Sequence, residues 1–210
     1  MKSILTSLLL IIALHTQAQG RYCTNYDDCI AGNWIELPEL TFTRSKKPKK
    51  NPAAADIIFT TKDKTTDEEL DNKAVFIQCG DSLFINLREF RLGHAFFTNH
   101  YALAYPLSNN KILFISSKPQ ESRKVNYVAI GPVPIMFSDK PSSNTYCFII
   151  EDIKLGDFSP IHLINDESIS KVLKGHDDLI DEYFFSEKNK KKRELSDYIL
   201  PLLKKAGMIE

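Results

Sequence analysis

The chain has 210 residues, of which 43% are hydrophobic, so it is long and apolar enough for one substantial core or two small ones. Its 27 lysines and arginines balance 27 aspartates and glutamates, which leaves no net charge to attract nucleic acid. This composition excludes a disordered chain and argues against a nucleic-acid-binding protein.

The first 18 residues have the three-part pattern of a secretory signal peptide. Lys2 is followed by an apolar run from Ile4 to Leu14 and by the small-residue stop Thr16-Gln17-Ala18. The apolar run, about a dozen residues long, is shorter than the roughly 20 residues that a membrane-spanning helix needs. We therefore predict a mature chain that begins at Gln19, has no transmembrane segment, and is exported to the periplasm, the cell surface or the medium.

Export affects how the four cysteines are interpreted, because thiols outside the cytosol tend to oxidise to disulfides. Cys23 and Cys29, with five residues between them, are predicted to close a small loop. Cys79 and Cys147 lie in apolar, strand-like runs, and either bond to each other or remain two buried thiols. No second Cys/His pair has zinc-site spacing, and no Cys-x-x-Cys redox motif occurs.

From Trp34 to about Ile164 the pattern is that of β-strands separated by turns. The run "TTDEELDNKA" is the exception and predicts a short helical turn capped by Thr66 or Asp67. The clearest hairpin is "AVFIQCGDSLFINL", in which Gly80-Asp81 suits a two-residue type II′ turn. A second hairpin turns at Ser-Asn-Asn in "HYALAYPLSNNKILFISS". About eight strands are predicted in all.

After Asn165 the hydrophobic period changes to three and four residues, which is typical of amphipathic helices. Gly175 is predicted to split the first helical stretch, and a last helix is predicted from about Lys191, kinked at Pro201. The fold class is therefore α+β, with an N-terminal antiparallel β-rich region followed by two or three C-terminal helices. The predicted organisation is a signal peptide at 1–18, a β-rich domain at 19–164 and a helical segment at 165–210 packed on it.

Three local stretches, two basic and one apolar, have an unusual composition but match no known motif. The basic runs at 44–50 and 188–193 lack the interleaved aromatics that stack on bases, so we interpret them as a solvated loop and a solvated helix start. The apolar stretch Val125–Phe137 is interrupted by a glycine and two prolines, and we interpret it as buried strand and turn.

No catalytic motif is present: the chain lacks a Gly-x-Ser-x-Gly elbow, a phosphate-binding loop and a His-Glu-x-x-His helix. His94 and His100 are close enough in sequence to suggest metal ligands, but no neighbouring carboxylate completes a site. His176, followed by two aspartates, suggests a base with an orienting carboxylate, although helix capping explains the same residues. His162 alternates with apolar neighbours and is expected on a solvated strand face. We predict no catalytic residue, no cofactor and no metal.

Several stretches together resemble an uncharacterised family of exported Bacteroidetes-type proteins, known as a domain of unknown function. These stretches are "NWIELPELTF", "TTKDKTTDEEL", "AVFIQCGDSLFINLREFR", "HYALAYPLSNNKILFIS", "LINDESISKVLKGHDDLIDEY" and "EKNKKKRELSDYILPLLKKAG". The resemblance covers nearly all of the mature chain and implies no activity, substrate or site. The segment "NYVAIGPVPIMF" departs from the Gly-rich apolar stretch expected there. Asp81-Ser82-Leu83 is similar to the acceptor for O-glycosylation in exported proteins of such bacteria, which makes Ser82 a candidate.

Two function hypotheses follow. The first is a non-enzymatic binding or envelope-associated module whose partner is a protein, a glycan or an envelope component. It predicts that surface aromatics such as Phe96, Phe97 or Tyr101 form one patch. The alternative is a small hydrolase or metal-dependent enzyme that uses His94, His100 or His176, and it requires these histidines to converge with acids in one pocket.

Overall fold

The fold is taken from a computed structural model, which describes residues 18–44, 57–97, 100–121 and 144–210. The strands in these ranges are β1 (Ala18–Cys23), β2 (Ile35–Arg44), β3 (Ile57–Thr60), β4 (Phe76–Cys79), β5 (Ser82–Asn86), β6 (Arg91–Leu92), β7 (Ala95–Phe96), β8 (Tyr101–Pro106), β9 (Ile112–Ser116), β10 (Gln120–Glu121), β11 (Tyr146–Ile150) and β12 (Ile161–Leu163). The helices are α1 (Tyr26–Ala31), α2 (Lys64–Asn72), a 3₁₀ helix (Ile153–Phe158), α3 (Ile169–Val172), α4 (Asp177–Ser186), α5 (Lys190–Arg193) and α6 (Ser196–Lys205).

Nine of the strands form one sheet in the order β12-β11-β9-β8-β5-β4-β1-β2-β3, in which every neighbouring pair is antiparallel. The other three form a small sheet in the order β10-β7-β6. The predicted α+β class, a large antiparallel sheet followed by C-terminal helices, is confirmed. The small sheet was not predicted, because its strands have two residues each and cannot display a two-residue period.

The two predicted hairpins form as expected from their turn residues. In the first, Cys79 pairs with Ser82, and Gly80 has a φ of 56°, which fits the left-handed first position of a type II′ turn. In the second, Asn109 and Asn110 have φ values of 61° and 59°, as a type I′ turn requires. Asparagine tolerates this left-handed conformation better than most residues.

The sheet curls so that its β3 end folds over its middle. Phe59 on β3 has its ring centroid 5.1 Å from that of Phe84 on β5 and 5.1 Å from that of Tyr101 on β8. In a flat sheet with a strand spacing of about 4.8 Å, β3 would lie about 19 Å from β5. The curl encloses a hydrophobic cluster that also contains Leu40 and Leu70, and it brings α2 against β3.

The C-terminal helices cover the other end of the sheet. Ile169, Tyr183 and Ile199 from these helices share a hydrophobic cluster with Leu113 of β9 and Ile149 of β11. Across the described residues, every helix is too short or too polar to cross a membrane.

The predicted helix boundaries need one correction. Gly175, with a φ of 90°, separates α3 from α4 as predicted. The predicted last helix is instead two helices, because the chain between α5 and α6 pairs with β11. Leu195 forms a bridge with Tyr146, and Ser196 N–H donates to the Thr145 carbonyl at 2.9 Å.

Two of the stretches interpreted from the sequence lie mostly or wholly outside the residues that the structure describes. The basic run at 44–50 lies outside the described residues except for Arg44, and Val125–Phe137 lies wholly outside them. The run at 188–193 is solvated at Lys188 and at the three lysines that follow Asn189, but Arg193 is buried, so the interpretation of that run as fully solvated is wrong at its last residue.

Candidate binding groove

Helix α2 begins where Asp63 caps it. The Asp63 carboxylate accepts hydrogen bonds from Thr66 N–H at 2.9 Å and from Thr65 N–H at 3.3 Å. It also accepts one from the Thr66 hydroxyl at 2.6 Å, and these bonds to Thr66 hold the pKa of Asp63 below its usual value. The predicted cap at Thr66 or Asp67 is therefore wrong by three or four residues, since the aspartate before the apolar-periodic stretch supplies the acceptor.

Two tyrosines fix α2 to the sheet. The hydroxyl of Tyr101 on β8 donates to the Leu70 carbonyl at the end of α2. The hydroxyl of Tyr22 on β1 donates to Glu69 Oε2 at 2.8 Å, and Glu69 also pairs with Lys73 at 2.9 Å. Burial, followed by the bond to Glu69, raises the pKa of Tyr22 to about 12, so this hydroxyl keeps its proton at neutral pH.

A groove of about 400 Å³ runs between β3 and α2. Its lining residues are Ile58, Phe59, Thr60, Lys64, Asp67, Glu68, Leu70, Asp71, Asn72 and Tyr101. Consecutive side chains of a strand point to opposite faces, so three consecutive lining residues on β3 mean that the groove follows the edge of that strand. We call this cavity the α2–β3 groove. Its volume is within the range of pockets that bind small ligands.

The helical wall of the α2–β3 groove is polar and acidic. Lys64 is followed three and four residues later by Asp67 and Glu68, and these in turn by Asp71 and Asn72, so the five share one helix face. The Asp67 carboxylate already has hydrogen-bond partners within the chain: its Oδ1 accepts from the Thr61 hydroxyl at 2.8 Å and from Thr61 N–H at 2.5 Å. Glu68 and Asp71 are exposed, and among the described residues the nearest cation to the Glu68 carboxylate is the Lys64 ammonium group at 4.0 Å.

The carboxylate of Asp71 links the α2–β3 groove to His100. His100 Nδ1 lies 3.1 Å from Asp71 Oδ1, and the imidazole stacks on the Tyr101 ring with centroids 4.7 Å apart. Arg88 approaches the other Asp71 oxygen at 3.9 Å. This arrangement orients one ring nitrogen of His100 by a carboxylate, as in many catalytic bases.

The three histidines proposed for an enzyme do not form one site around acids. His94 is exposed in the turn between β6 and β7, and His176 is the N-terminal cap of α4 without a side-chain capping bond. Within the described ranges, neither has a carboxylate oxygen within 4.0 Å, whereas His100 does. The same part of the chain contains no group of three or more His, Cys, Asp and Glu residues that could hold a metal ion. His162 is exposed on β12, as predicted.

The predicted aromatic patch does not form. Phe97 is buried between Phe114 and Phe148, with ring centroids 5.2 Å from each. Tyr101 is buried against Phe59, and only Phe96 is exposed, with the Arg91 guanidinium 4.0 Å from its ring centroid. Local alternation of aromatic and polar residues identifies a strand but does not tell which face meets the core.

The cysteines separate into one disulfide and two thiols. Cys23 and Cys29 are bonded, which closes the small loop as predicted. Cys79 and Cys147 are buried free thiols, which is the second of the two alternatives that the sequence leaves open. Their strands, β4 and β11, are separated by three others in the sheet, whereas a disulfide needs Cα atoms about 6 Å apart. Burial raises the pKa of both thiols, that of Cys147 to about 12.

Ser82, the candidate for O-glycosylation, is the first residue of β5 and is half-buried. The exposed Gly80-Asp81 turn precedes it directly. Its modification stays a prediction.

The α2–β3 groove was not predicted from the sequence. One signal was available, namely the polar and acidic stripe at 64, 67, 68, 71 and 72 in a short amphipathic helix. The other wall depends on the curl of the sheet, which no local pattern reveals.

Comparison with known proteins identifies a family. The family described as "Family of unknown function (DUF6563)" matches residues 21–210. No curated protein and no solved structure matches the chain.

Proposed function

The chain belongs to the family of unknown function DUF6563, and we propose that it is an exported, non-enzymatic binding module whose ligand site is the α2–β3 groove. The observation that carries this proposal is the groove itself, a cavity of about 400 Å³ with a strand edge on one side and an exposed acidic helix face on the other. A cavity of this size with a few convergent polar groups is the default hypothesis for a binding site.

Export is supported by two features. The first is the signal-peptide pattern of residues 1–18. The second is the Cys23–Cys29 disulfide, since such bonds persist in oxidising compartments and are rare in the cytosol. The proposed compartment is the periplasm, the cell surface or the medium, and Bacteroidetes-type bacteria are the proposed origin.

The binding role is tested by nuclear magnetic resonance on the isotope-labelled chain from Gln19 onwards. A panel of oligosaccharides, short peptides and envelope-polymer fragments is added in turn, and shifts of backbone amide signals are recorded. We expect at least one ligand to shift the signals of β3 and α2 together, without being converted to a product. Conversion of a ligand would show that the module is an enzyme.

A covalent block provides the matched control. Glu68→Cys labelled with a bulky maleimide fills the α2–β3 groove, whereas Glu167→Cys, also on an exposed acidic position, carries the same label elsewhere. The native thiols are buried and do not compete for the label. We expect the first label to abolish the ligand-induced shifts and the second to leave them unchanged.

A second candidate function is hydrolysis with His100 as a general base, which the 3.1 Å contact with Asp71 favours. It predicts turnover of an ester, phosphate or glycoside by the wild-type chain, with loss of turnover in His100→Gln and Asp71→Asn. Turnover that survives both substitutions would remove this candidate.

A further inference from the structure

We propose that the α2–β3 groove takes an extended, basic segment of a partner polypeptide, which adds a strand to the outer edge of β3. This inference rests on the proposed function, because it names the ligand class of the same groove.

The first support is the position of β3 at the end of the nine-strand order. Among the described residues, β3 pairs with β2 and with no other strand. Every second residue of such an edge strand turns its N–H and C=O away from its one partner, which gives a template for another extended chain. Because the groove follows this edge, a ligand inside it reaches those backbone groups.

The second support is the match in length between the two walls. β3 has four residues and spans about 13 Å, while the nine residues of α2 span about 14 Å. A groove with walls of this length holds about four residues of an extended chain.

The third support is charge. Three carboxylates and one ammonium group line the groove, and the Arg88 guanidinium lies 3.9 Å from one of the carboxylates, that of Asp71, so the set keeps one negative charge. Glu68 and Asp71, both exposed, are about 5 Å apart along the helix axis. A basic side chain would share the Asp71 carboxylate with His100 and Arg88, whereas the competing cation at Glu68 is Lys64, 4.0 Å away. Alternate side chains of an extended peptide are about 7 Å apart on one face, a spacing that long lysine and arginine side chains adjust to reach both carboxylates. The partner segment therefore has basic residues at alternating positions.

A second copy of this chain fits the groove less well. Edge-to-edge pairing of two β3 strands would place two acidic α2 faces near each other, and like charges in an interface are unfavourable. We therefore commit to a basic segment of another polypeptide and leave self-pairing as an outcome of the test.

The test uses the chain from Gln19 onwards and a fluorescein-labelled peptide, acetyl-Lys-Val-Lys-Val-Lys-Val-amide. One control peptide has glutamate in place of lysine, and another keeps the lysines but has N-methyl groups that remove alternate backbone donors. Binding is followed by fluorescence anisotropy at low salt, and hydrogen exchange of the amides locates the peptide. Glu68→Lys reverses a groove charge, and Glu167→Lys reverses an exposed charge elsewhere.

We expect the lysine peptide to bind and to slow hydrogen exchange in β3. Glu68→Lys should weaken this binding about tenfold or more, while Glu167→Lys changes it less than about twofold, and added salt should weaken it as well. The N-methylated peptide should lose most of the binding, because strand addition needs its backbone N–H groups.

Three results overturn the inference: equal binding of the glutamate peptide, equal binding of the N-methylated peptide, or formation of a dimer that protects β3 without peptide. If the lysine peptide fails while another ligand still shifts the β3 and α2 signals, only the ligand class is wrong. If no ligand of either experiment reaches the groove, the proposed function fails with it.

Discussion

Arg193 forms a bidentate salt bridge with the carboxylate of Asp166. Nη2 lies 2.7 Å from Oδ2 and Nε lies 3.2 Å from Oδ1, and both side chains are largely shielded from water. The Tyr183 hydroxyl donates to the same carboxylate at 2.9 Å, and Arg193 Nη1 donates to the Glu187 carbonyl at 2.9 Å. This network ties α5 and α4 to the chain that follows β12.

Replacing Arg193 by methionine should lower the free energy of unfolding by about 3–5 kcal/mol, because the shielded Asp166 carboxylate loses its partner. Lys192→Met is the matched control, since Lys192 is exposed and its nearest Glu187 oxygen is 3.9 Å away; it should cost less than about 1 kcal/mol. Urea unfolding of the three proteins measures the difference. Equal midpoints for the two variants would contradict the role of the pair.

Asp166 should make stability depend on pH. The Arg193 hydrogen bonds hold the pKa of Asp166 below its ordinary value of 3.8 in the folded chain. Such a group stabilises the fold above the unfolded pKa and loses this contribution as the pH falls through the folded pKa. Asp166→Asn should therefore be less stable than wild type at pH 7, and the gap should narrow below about pH 4. A constant difference in unfolding free energy between wild type and Asp166→Asn from pH 7 to pH 3 would contradict this prediction. Asp181→Asn, which removes an exposed carboxylate from α4, is the control for the loss of one negative charge.

The two free thiols should be unreactive until the chain unfolds. Iodoacetamide attacks thiolate, and burial raises the pKa of Cys147 to about 12 and that of Cys79 above its usual value. Mass spectrometry should find a chain that begins at Gln19 and is two hydrogens lighter than the reduced chain. It should gain two adducts in denaturant without reductant and four after reduction, whereas Cys147→Ser should gain one and three. No adduct in denaturant alone would reveal a second disulfide.

Gly20 on β1 should not tolerate a side chain. A Cβ atom built there would overlap Leu40 on β2, and its distance to Leu40 Cγ would be 3.0 Å. We expect Gly20→Ala to cost about 1–3 kcal/mol of stability, as overpacking does. The built atom would also lie 2.5 Å from Leu40 Cβ, which alanine would keep, so the cost should largely disappear only in a Leu40→Gly background. Additive effects in this double-mutant cycle would show that the clash is not the cause.

Local chemistry was enough to predict some elements of this fold. The Gly80-Asp81 turn follows from the conformational freedom of glycine, and the Cys23–Cys29 bridge closes a loop too short to depend on topology. Tertiary context decided the rest. Whether Cys79 and Cys147 form a disulfide depends on the strand order, which separates them in the sheet. The burial of Phe97 depends on Phe114 and Phe148, which are distant in sequence.

Of the two walls of the α2–β3 groove, one could be predicted from the sequence and the other could not. The acidic stripe of α2 has helical spacing and could be recognised in the sequence. The opposite wall exists because Phe59 meets Phe84 and Tyr101 across the curled sheet, over sequence separations that no window of neighbouring residues covers.

The wide sheet carries separate hydrophobic clusters at its two ends. Leu70 and Phe59 belong to the cluster at the β3 end, whereas Leu113, Ile149 and the C-terminal helices belong to the other, and the two share no buried residue. Regions that pack independently open independently in the native state. We therefore expect transient local unfolding of α3–α6 to leave the packing beneath α2 in place. A ligand at α2 and β3 should then slow hydrogen exchange at the end it touches and leave exchange in the C-terminal helices unchanged.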